Sequence, residues 1–364
     1  MIIKSVFINY GYQGSQKKVH FIYTTHHKER KMRKEKNLAV LMILFIIGGI
    51  FAAGSGQQAS GSSGKYVFTG IPKVNVPWFA SFEKKLNQFG QDFGVTTSYQ
   101  APSSADEALQ VRTIEDAINQ GTNAVLVVPN DANSLVPVFQ RAKQRNVVVI
   151  THESPNQPSA DFDVEMIDNS TYGAKFVDEI VKVIGTSGDY AIFVGSLTVP
   201  AHNIWADGTE KYVAEKYPGL KLVASRFPVG EDRNLARQKT LELLQTYPNL
   251  KGIICYGSEG APGAGQAIRE RGLQGKIAVV GTTTPNAIKE FIKDGSVSAA
   301  IIWDSGDASY TMAYLAKMIL DGKRGDIKQG MNIPNIGQPK FDGITLIFDK
   351  PLVINKDNVD NYNF

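Results

Sequence analysis

Three short loops in the chain carry the residue types that grip a polyol, and each begins where an apolar, strand-like run ends. They read Ile71-Pro72-Lys73-Val74-Asn75, Thr151-His152-Glu153-Ser154 and Ile302-Trp303-Asp304. An ammonium offers three donors and a carboxylate accepts two hydroxyls at once. Aromatics beside them supply a flat apolar face for a ring to lie on. In an open α/β sheet, ligands sit beyond the carboxyl ends of the strands. Three such ends, far apart in sequence, predict one small polar ligand between two lobes. They point to a binder and not to a catalyst.

Each residue also has a plainer use. Lys73 could be a solvated loop lysine, Trp78 and Phe79 could belong to the core, and Glu153 or Ser154 could cap a helix. His152 adjoins Glu153 at the same strand end, and Trp303-Asp304 repeats the aromatic–carboxylate pairing. Further along, Ala201-His202-Asn203 opens a helix after a strand, with Asn203 a candidate N-cap. Arg233 follows Gly230-Glu231-Asp232 at another helix start, where its guanidinium could fork onto hydroxyls or a carboxylate. Glu259-Gly260-Ala261-Pro262 is a strand-to-helix loop whose small residues would let backbone groups approach a ligand. Convergence on one edge of two sheets carries more weight than any single residue.

The elements that must hold these loops alternate in kind. Phe79, Phe82, Leu86, Phe89 and Phe93 recur at helical spacing and close at Gly94. Ala105–Asn119 reads as a helix ending before Gly121, and Ala124–Val128 as a buried strand. Short continuous apolar strands between helices require parallel sheets covered on both faces. The βα units are too many for one sheet and divide into two doubly wound parallel-sheet lobes joined by a three-strand hinge, with crossings near residues 168, 304 and 342. The first lobe is thus expected over 65–168 plus 305–341, the second over 169–304 plus 342–364.

The formal charge of +4 is concentrated at the start, where residues 1–36 hold nine Lys/Arg against two acids; the remainder carries 30 basic against 33 acidic residues. A slightly acidic body does not suit a phosphate-tracking surface, which argues against nucleic acid as a partner. Cys255, without a second cysteine, lies in an apolar run and reads as a small buried hydrophobe. No metal or cofactor signature appears. Residues 32–54 have a basic start, a short apolar stretch and a small-residue exit, the pattern of a signal peptide. Met32 is then the expected true start, with residues 1–31 a mis-called extension and 55–64 a flexible tether.

Several of these segments carry a resemblance. They are Ile71-Pro72-Lys73, Gln120-Gly121-Thr122-Asn123-Ala124, Gly281-Thr282-Thr283-Thr284-Pro285-Asn286, Trp303-Asp304 and the tail Val353-Ile354-Asn355-Lys356-Asp357-Asn358. Over about residues 65–364 the chain resembles the periplasmic sugar-binding proteins of ABC importers with the type I, ribose-binding fold. Within them it is similar to the autoinducer-2- and rhamnose-binding subgroup. The resemblance implies a cleft lined by Lys73, Phe79, His152, Glu153, the Ala201-His202 loop, Pro262 and the backbone near Ala261. It also implies delivery of a small sugar or autoinducer-2-like ligand to importer membrane subunits, and it is compatible with presentation to a chemoreceptor. A monomer is expected. The autoinducer-2 receptors carry Asp where Glu153 stands and Asp-Gln where Ala201-His202 align, so the hydrogen-bond set differs and a pentose, deoxyhexose or related small polyol is at least as strong an expectation. Two other readings compete. A repressor effector domain would need an N-terminal helix-turn-helix, and a glycosidase would need two carboxyls, such as Glu153 and Asp304, at a defined separation.

Overall fold

The computed structural model describes residues 65–364, so the expected leader, signal and tether (1–31, 32–54 and 55–64) lie outside the described residues. The first lobe opens with β1 (Val67–Ile71), α1 (Ala80–Phe93), β2 (Thr96–Tyr99), α2 (Glu107–Asn119), β3 (Ala124–Val127), α3 (Val136–Gln144), β4 (Val148–His152) and β5 (Phe162–Glu165). The second contains α4 (Asn169–Ile184), β6 (Ser187–Val194), α5 (Pro200–Lys216), β7 (Gly219–Leu222), β8 (Phe227–Pro228), α6 (Arg233–Thr246) and β9 (Leu250–Cys255). It continues through α7 (Gly260–Glu270), β10 (Ala278–Gly281), α8 (Pro285–Asp294) and β11 (Ala299–Ile302). The chain then returns through α9 (Ser305–Leu320), β12 (Lys340–Asp342) and β13 (Thr345–Ile347), and ends near β14 (Leu352–Ile354).

Two seven-stranded sheets result. The first runs β12-β13-β5-β4-β3-β1-β2, and the second β14-β11-β10-β9-β6-β7 with β8 beside β6. Pairing is parallel except for the β12–β13 hairpin and the β11–β14 edge. Residues alternate between two covered faces. In β3, Val125 and Val127 join Ile114 and Phe139, whereas Ala124 and Leu126 join the larger cluster containing Phe82 and Phe89. Phe82, Leu86 and Phe89 form the buried face of α1, with Phe79 buried in the turn before it and Phe93 exposed in its last turn; the helix stops at Gly94 in the left-handed conformation, φ +63°. Here a residue with a Cβ would be strained.

The third crossing lies further along than residue 342. Thr345 pairs with Asp163 and Ile347 with Glu165, so the Lys340–Ile347 hairpin extends the first sheet. The chain passes over only between Ile347 and Leu352, where β14 pairs β11. The partner strand β5 explains the displacement. Its Phe162-Asp163-Val164-Glu165 pattern looks half solvated, yet all four residues are buried. Asp163 accepts from Thr151 Oγ1 at 2.7 Å, while its Oδ2 and both carboxylate oxygens of Glu165 have no hydrogen-bond partner among the described residues.

These carboxyls make a testable contribution to stability. Burial pushes Asp163 up to about 6 and Glu165 well above the carboxylate range, with Asp163 and Glu153 reinforcing the latter. A raised native pKa means that the folded state holds its proton more tightly than the unfolded one. The contribution is full below about pH 4 and is lost as pH rises through the native values. Glu165→Gln should therefore melt close to the parent at pH 4.5 and a few degrees above it by pH 8, read by calorimetry. An advantage that does not grow with pH would show that the pair does not retain a proton.

Candidate functional site

Parallel strands in both lobes aim their carboxyl ends at one point. Lys73 follows β1, where Pro72 ends the ladder. The loop is pinned by two buried amides: Gln110 Nε2 donates to the Pro72 carbonyl at 3.1 Å, and Asn130 Nδ2 donates to that of Lys73 at 2.8 Å. Glu153 follows β4 with φ +60°, a left-handed conformation costing of order 1–3 kcal/mol for a residue with a Cβ. Its carbonyl accepts the Ala201 amide of the second lobe at 3.3 Å. From that second lobe come His202, in the first turn of α5, and Glu231, immediately before Asp232 caps α6.

The four side chains meet out of water. Lys73 Nζ lies 2.5 Å from Glu153 Oε2, 3.1 Å from His202 Nε2 and 3.6 Å from Glu231 Oε1. The lysine, histidine and both glutamate side chains are almost fully buried. Burial pulls the Lys73 ammonium down, but the two carboxylates outweigh it and hold it above the usual lysine range. Burial lifts Glu231, opposed by Lys73 and reinforced by Glu153. Burial, with Lys73 adding to it, takes His202 well below its usual value, so the ring is neutral at neutral pH. Its Nδ1 accepts the Gly195 amide at 3.0 Å, which leaves the proton on Nε2. Two donors, the ammonium and this N–H, thus converge beside two acceptor carboxylates.

Trp78, Tyr256, Ser258, Thr282 and Trp303 complete the lining of this innermost cavity, whose volume is about 10 Å³. Glycines allow the second-lobe loops to meet. A Cβ on Gly257 would stand 2.4 Å from the Gly230 carbonyl carbon, so Ser258 and Glu231 can sit side by side, 3.5 Å apart, only because residue 257 is glycine. Trp303 packs edge-to-face with Trp78 and His152 of the first lobe and with Tyr172 and Trp205 of the second, at centroid distances of 5.1–5.9 Å.

The other residues singled out from the sequence fall outside this cluster. His152 is saturated: Nδ1 donates to the Val164 carbonyl at 2.6 Å and Nε2 accepts Trp303 Nε1 at 3.1 Å. It therefore fixes Trp303 and has no nitrogen left for a ligand. Phe79 is core, packed against Phe82. Ala201, Ala261 and Pro262 are buried in helix first turns, and Ala261 abuts Gly281. Asn203 is not the N-cap, since α5 already begins at Pro200; its amide instead donates to the Ser196 and Val199 carbonyls and its oxygen accepts Arg226. Asp304 caps α9 and bonds Ser81 and Lys85, away from Glu153, so the two do not form a carboxyl pair across one space. Asn75, Arg233 and Glu259 line a wider groove outside the cavity, where Arg233 Nε bonds Glu259 at 2.9 Å.

Sequence reasoning passed over Glu231, Tyr256, Ser258 and Thr282. The signal for Glu231 was its place as the last loop residue before a capped helix, overshadowed by the neighbouring arginine. Among the described residues, no cluster of three or more His, Cys, Asp or Glu is placed to hold a metal ion, and no helix is long and apolar enough to cross a membrane.

The chain is similar to proteins of known kind. A model described as "periplasmic binding protein domain" matches residues 67–324. The D-allose-binding periplasmic protein of Escherichia coli is 27% identical over 74% of this chain and 87% of its own length. The structure of LsrB from Clostridium saccharobutylicum in complex with AI-2 superposes with a TM-score of 0.75 at 25% identity, over 82% of this chain and all of that one. A solute-binding protein from Clostridium phytofermentas with bound L-rhamnose gives 0.76 at 21% identity, over 82% and 98%.

The buried ammonium yields a direct test. Lys73→Met leaves Glu153 and Glu231 facing one another without a cation, and breaking a buried pair in this way costs about 3–5 kcal/mol. Urea unfolding should register a loss of that order. A loss under about 1 kcal/mol would mean that water reaches the cluster and screens it.

Proposed function

Because the chain belongs to the periplasmic binding protein domain family, we propose that it is an extracytoplasmic receptor that traps a small, neutral sugar or sugar-like ligand between its lobes and hands it to an ABC importer. The observation that carries this reading is the Lys73–Glu153–Glu231–His202 cluster, in which each lobe contributes both an acceptor and a donor. Carboxylates take the hydroxyl hydrogens of a polyol, while the ammonium and the imidazole N–H serve its oxygens. Trp78 and Trp303 supply the apolar wall.

The mechanism is a hinge closure. A ligand shifts an open–closed equilibrium only through contacts that differ between the two forms. Lys73 and Glu153 belong to the first lobe, His202 and Glu231 to the second, so an oxygen bonded by both sets is held fully only when the lobes meet. The Ala201–Glu153 contact and the bond from Thr198 Oγ1 to Glu107 Oε1 at 2.8 Å then form across the cleft. The importer would read the shape of the closed pair. One excess carboxylate in the cluster disfavours phosphorylated and acidic sugars. Glu153 and His202 stand where autoinducer-2 receptors carry different groups, which favours a pentose, hexose or deoxyhexose ring in the cluster over that signal.

Thermal unfolding of the full chain should resolve the cargo class. At a hundredfold excess over its dissociation constant a ligand adds about 2.7 kcal/mol, a shift of a few degrees. Neutral sugars should produce it and sugar phosphates should not. Glu231→Gln should weaken the binding by about 1.5–3 kcal/mol, roughly ten- to a hundredfold. If no neutral sugar or autoinducer-2 raises the melting temperature, the reading fails.

A further inference from the structure

The innermost cavity is continuous in sequence with a much larger space. Three residues lining the inner cavity are followed closely in sequence by one that lines the outer groove: Lys73 by Asn75, Glu231 by Arg233 and Ser258 by Glu259. Glu231 itself lines both. The groove measures about 520 Å³, within the range of about 300–1,000 Å³ typical of small-molecule sites. The inner cavity, at about 10 Å³, holds roughly one water. Groups from both lobes line the groove, Ser103 and Ser104 facing it from the first and Arg233 and Glu259 from the second.

Its walls combine two characters. Arg233, half exposed and bonded to the mostly buried Glu259, sits opposite exposed serine hydroxyls. Beside them Leu235 is 47% exposed, a large apolar side chain left open to water at the rim, with Val229 and Pro77 nearby. Charged and hydroxyl groups next to an exposed aliphatic surface match a sugar ring, which is polar at its edge and apolar on its face. Glu231, Asp232 and Glu259 outnumber Arg233, so an anionic substituent is disfavoured.

Resting on the sugar-receptor reading above, we infer that this groove is a second subsite and that the cargo is a neutral two-ring glycoside. Its first ring reaches the Lys73 cluster only when the lobes part and the Lys73–His202 contact opens, because the inner cavity is too small for a ring. Its second lies over Leu235 and bonds Arg233 and Glu259.

Calorimetric titration of the full chain tests this with two sets of probes: D-ribose, D-xylose, D-glucose, D-galactose and L-rhamnose as single rings, and xylobiose, cellobiose, maltose, lactose and melibiose as two. A disaccharide should bind at least tenfold tighter than the tightest single ring. Leu235→Ser, at an exposed position, and Arg233→Ala, which removes the half-exposed partner of Glu259, should each lower that ratio fivefold or more. Single rings that bind as tightly as every disaccharide, or a ratio that neither variant moves, would overturn the second subsite and leave the sugar receptor standing. If neither set binds, both readings fall together.

Discussion

An ammonium buried with two carboxylates and a neutral imidazole is the constraint on which the arrangement of this protein turns. Moving an unpaired charge from water into the interior costs several kcal/mol even after relaxation. Lys73 can occupy its position only while Glu153 and Glu231 are held against it, and Glu231 comes from the other lobe. The two half-molecules are therefore coupled through a charge balance as well as through covalent crossings. Much of the local architecture maintains that balance. Gln110 and Asn130 clamp the lysine loop, a left-handed backbone turns Glu153 inward, and paired glycines bring the Glu231 and Ser258 loops together.

The same logic divides the aromatic residues from the polar ones. Trp303 lies at a crossing between lobes, and four rings drawn from both sides pack around it. Its indole N–H is spent on His152, whose other nitrogen is spent on a backbone carbonyl. A saturated chain of this kind resists rotation of the tryptophan ring. It places a rigid wall at the pivot, where an apolar face is useful and a free hydrogen-bonding group would be costly to bury. His152 ends β4 and His202 lies in the first turn of α5, both buried; they differ in what faces each ring nitrogen.

That contrast marks how far the sequence could be read. The periodicity of Phe79 to Phe93, the buried run at Ala124 and the glycine stops were legible because helix and strand periods are local properties, and two parallel-sheet lobes followed from counting them. That Lys73 and Glu153 lie at one edge was legible because residues just beyond parallel strand ends in α/β sheets converge there. β5 was hidden because its alternate residues are acids, which normally signal a solvated face; here they are buried with unpartnered oxygens. Missing β5 also moved the third crossing, since the Lys340–Ile347 hairpin has no reason to remain in the first lobe without that strand to pair. Glu231 was hidden for a different reason. Its role depends on a contact with a lysine 158 positions away in the other lobe, and nothing local distinguishes it from a loop glutamate.

The hydrogen positions in the cluster bear on why closure should depend on a ligand. The Gly195 amide occupies Nδ1 of His202, so Nε2 carries hydrogen, and that hydrogen faces the Lys73 ammonium at 3.1 Å. Two donors directed at each other gain nothing. The ammonium can satisfy itself on Glu153 and Glu231, but the imidazole N–H stands 3.8 and 4.0 Å from those carboxylates, beyond a good hydrogen bond. Closure of the lobes on themselves thus leaves one buried donor poorly served, a penalty of about 1–3 kcal/mol. An oxygen placed between the ammonium and the imidazole would remove that penalty while accepting from both. On the proposed receptor function, the closed form is then favoured by a ligand that supplies such an oxygen, and the gain arises only when both lobes reach it.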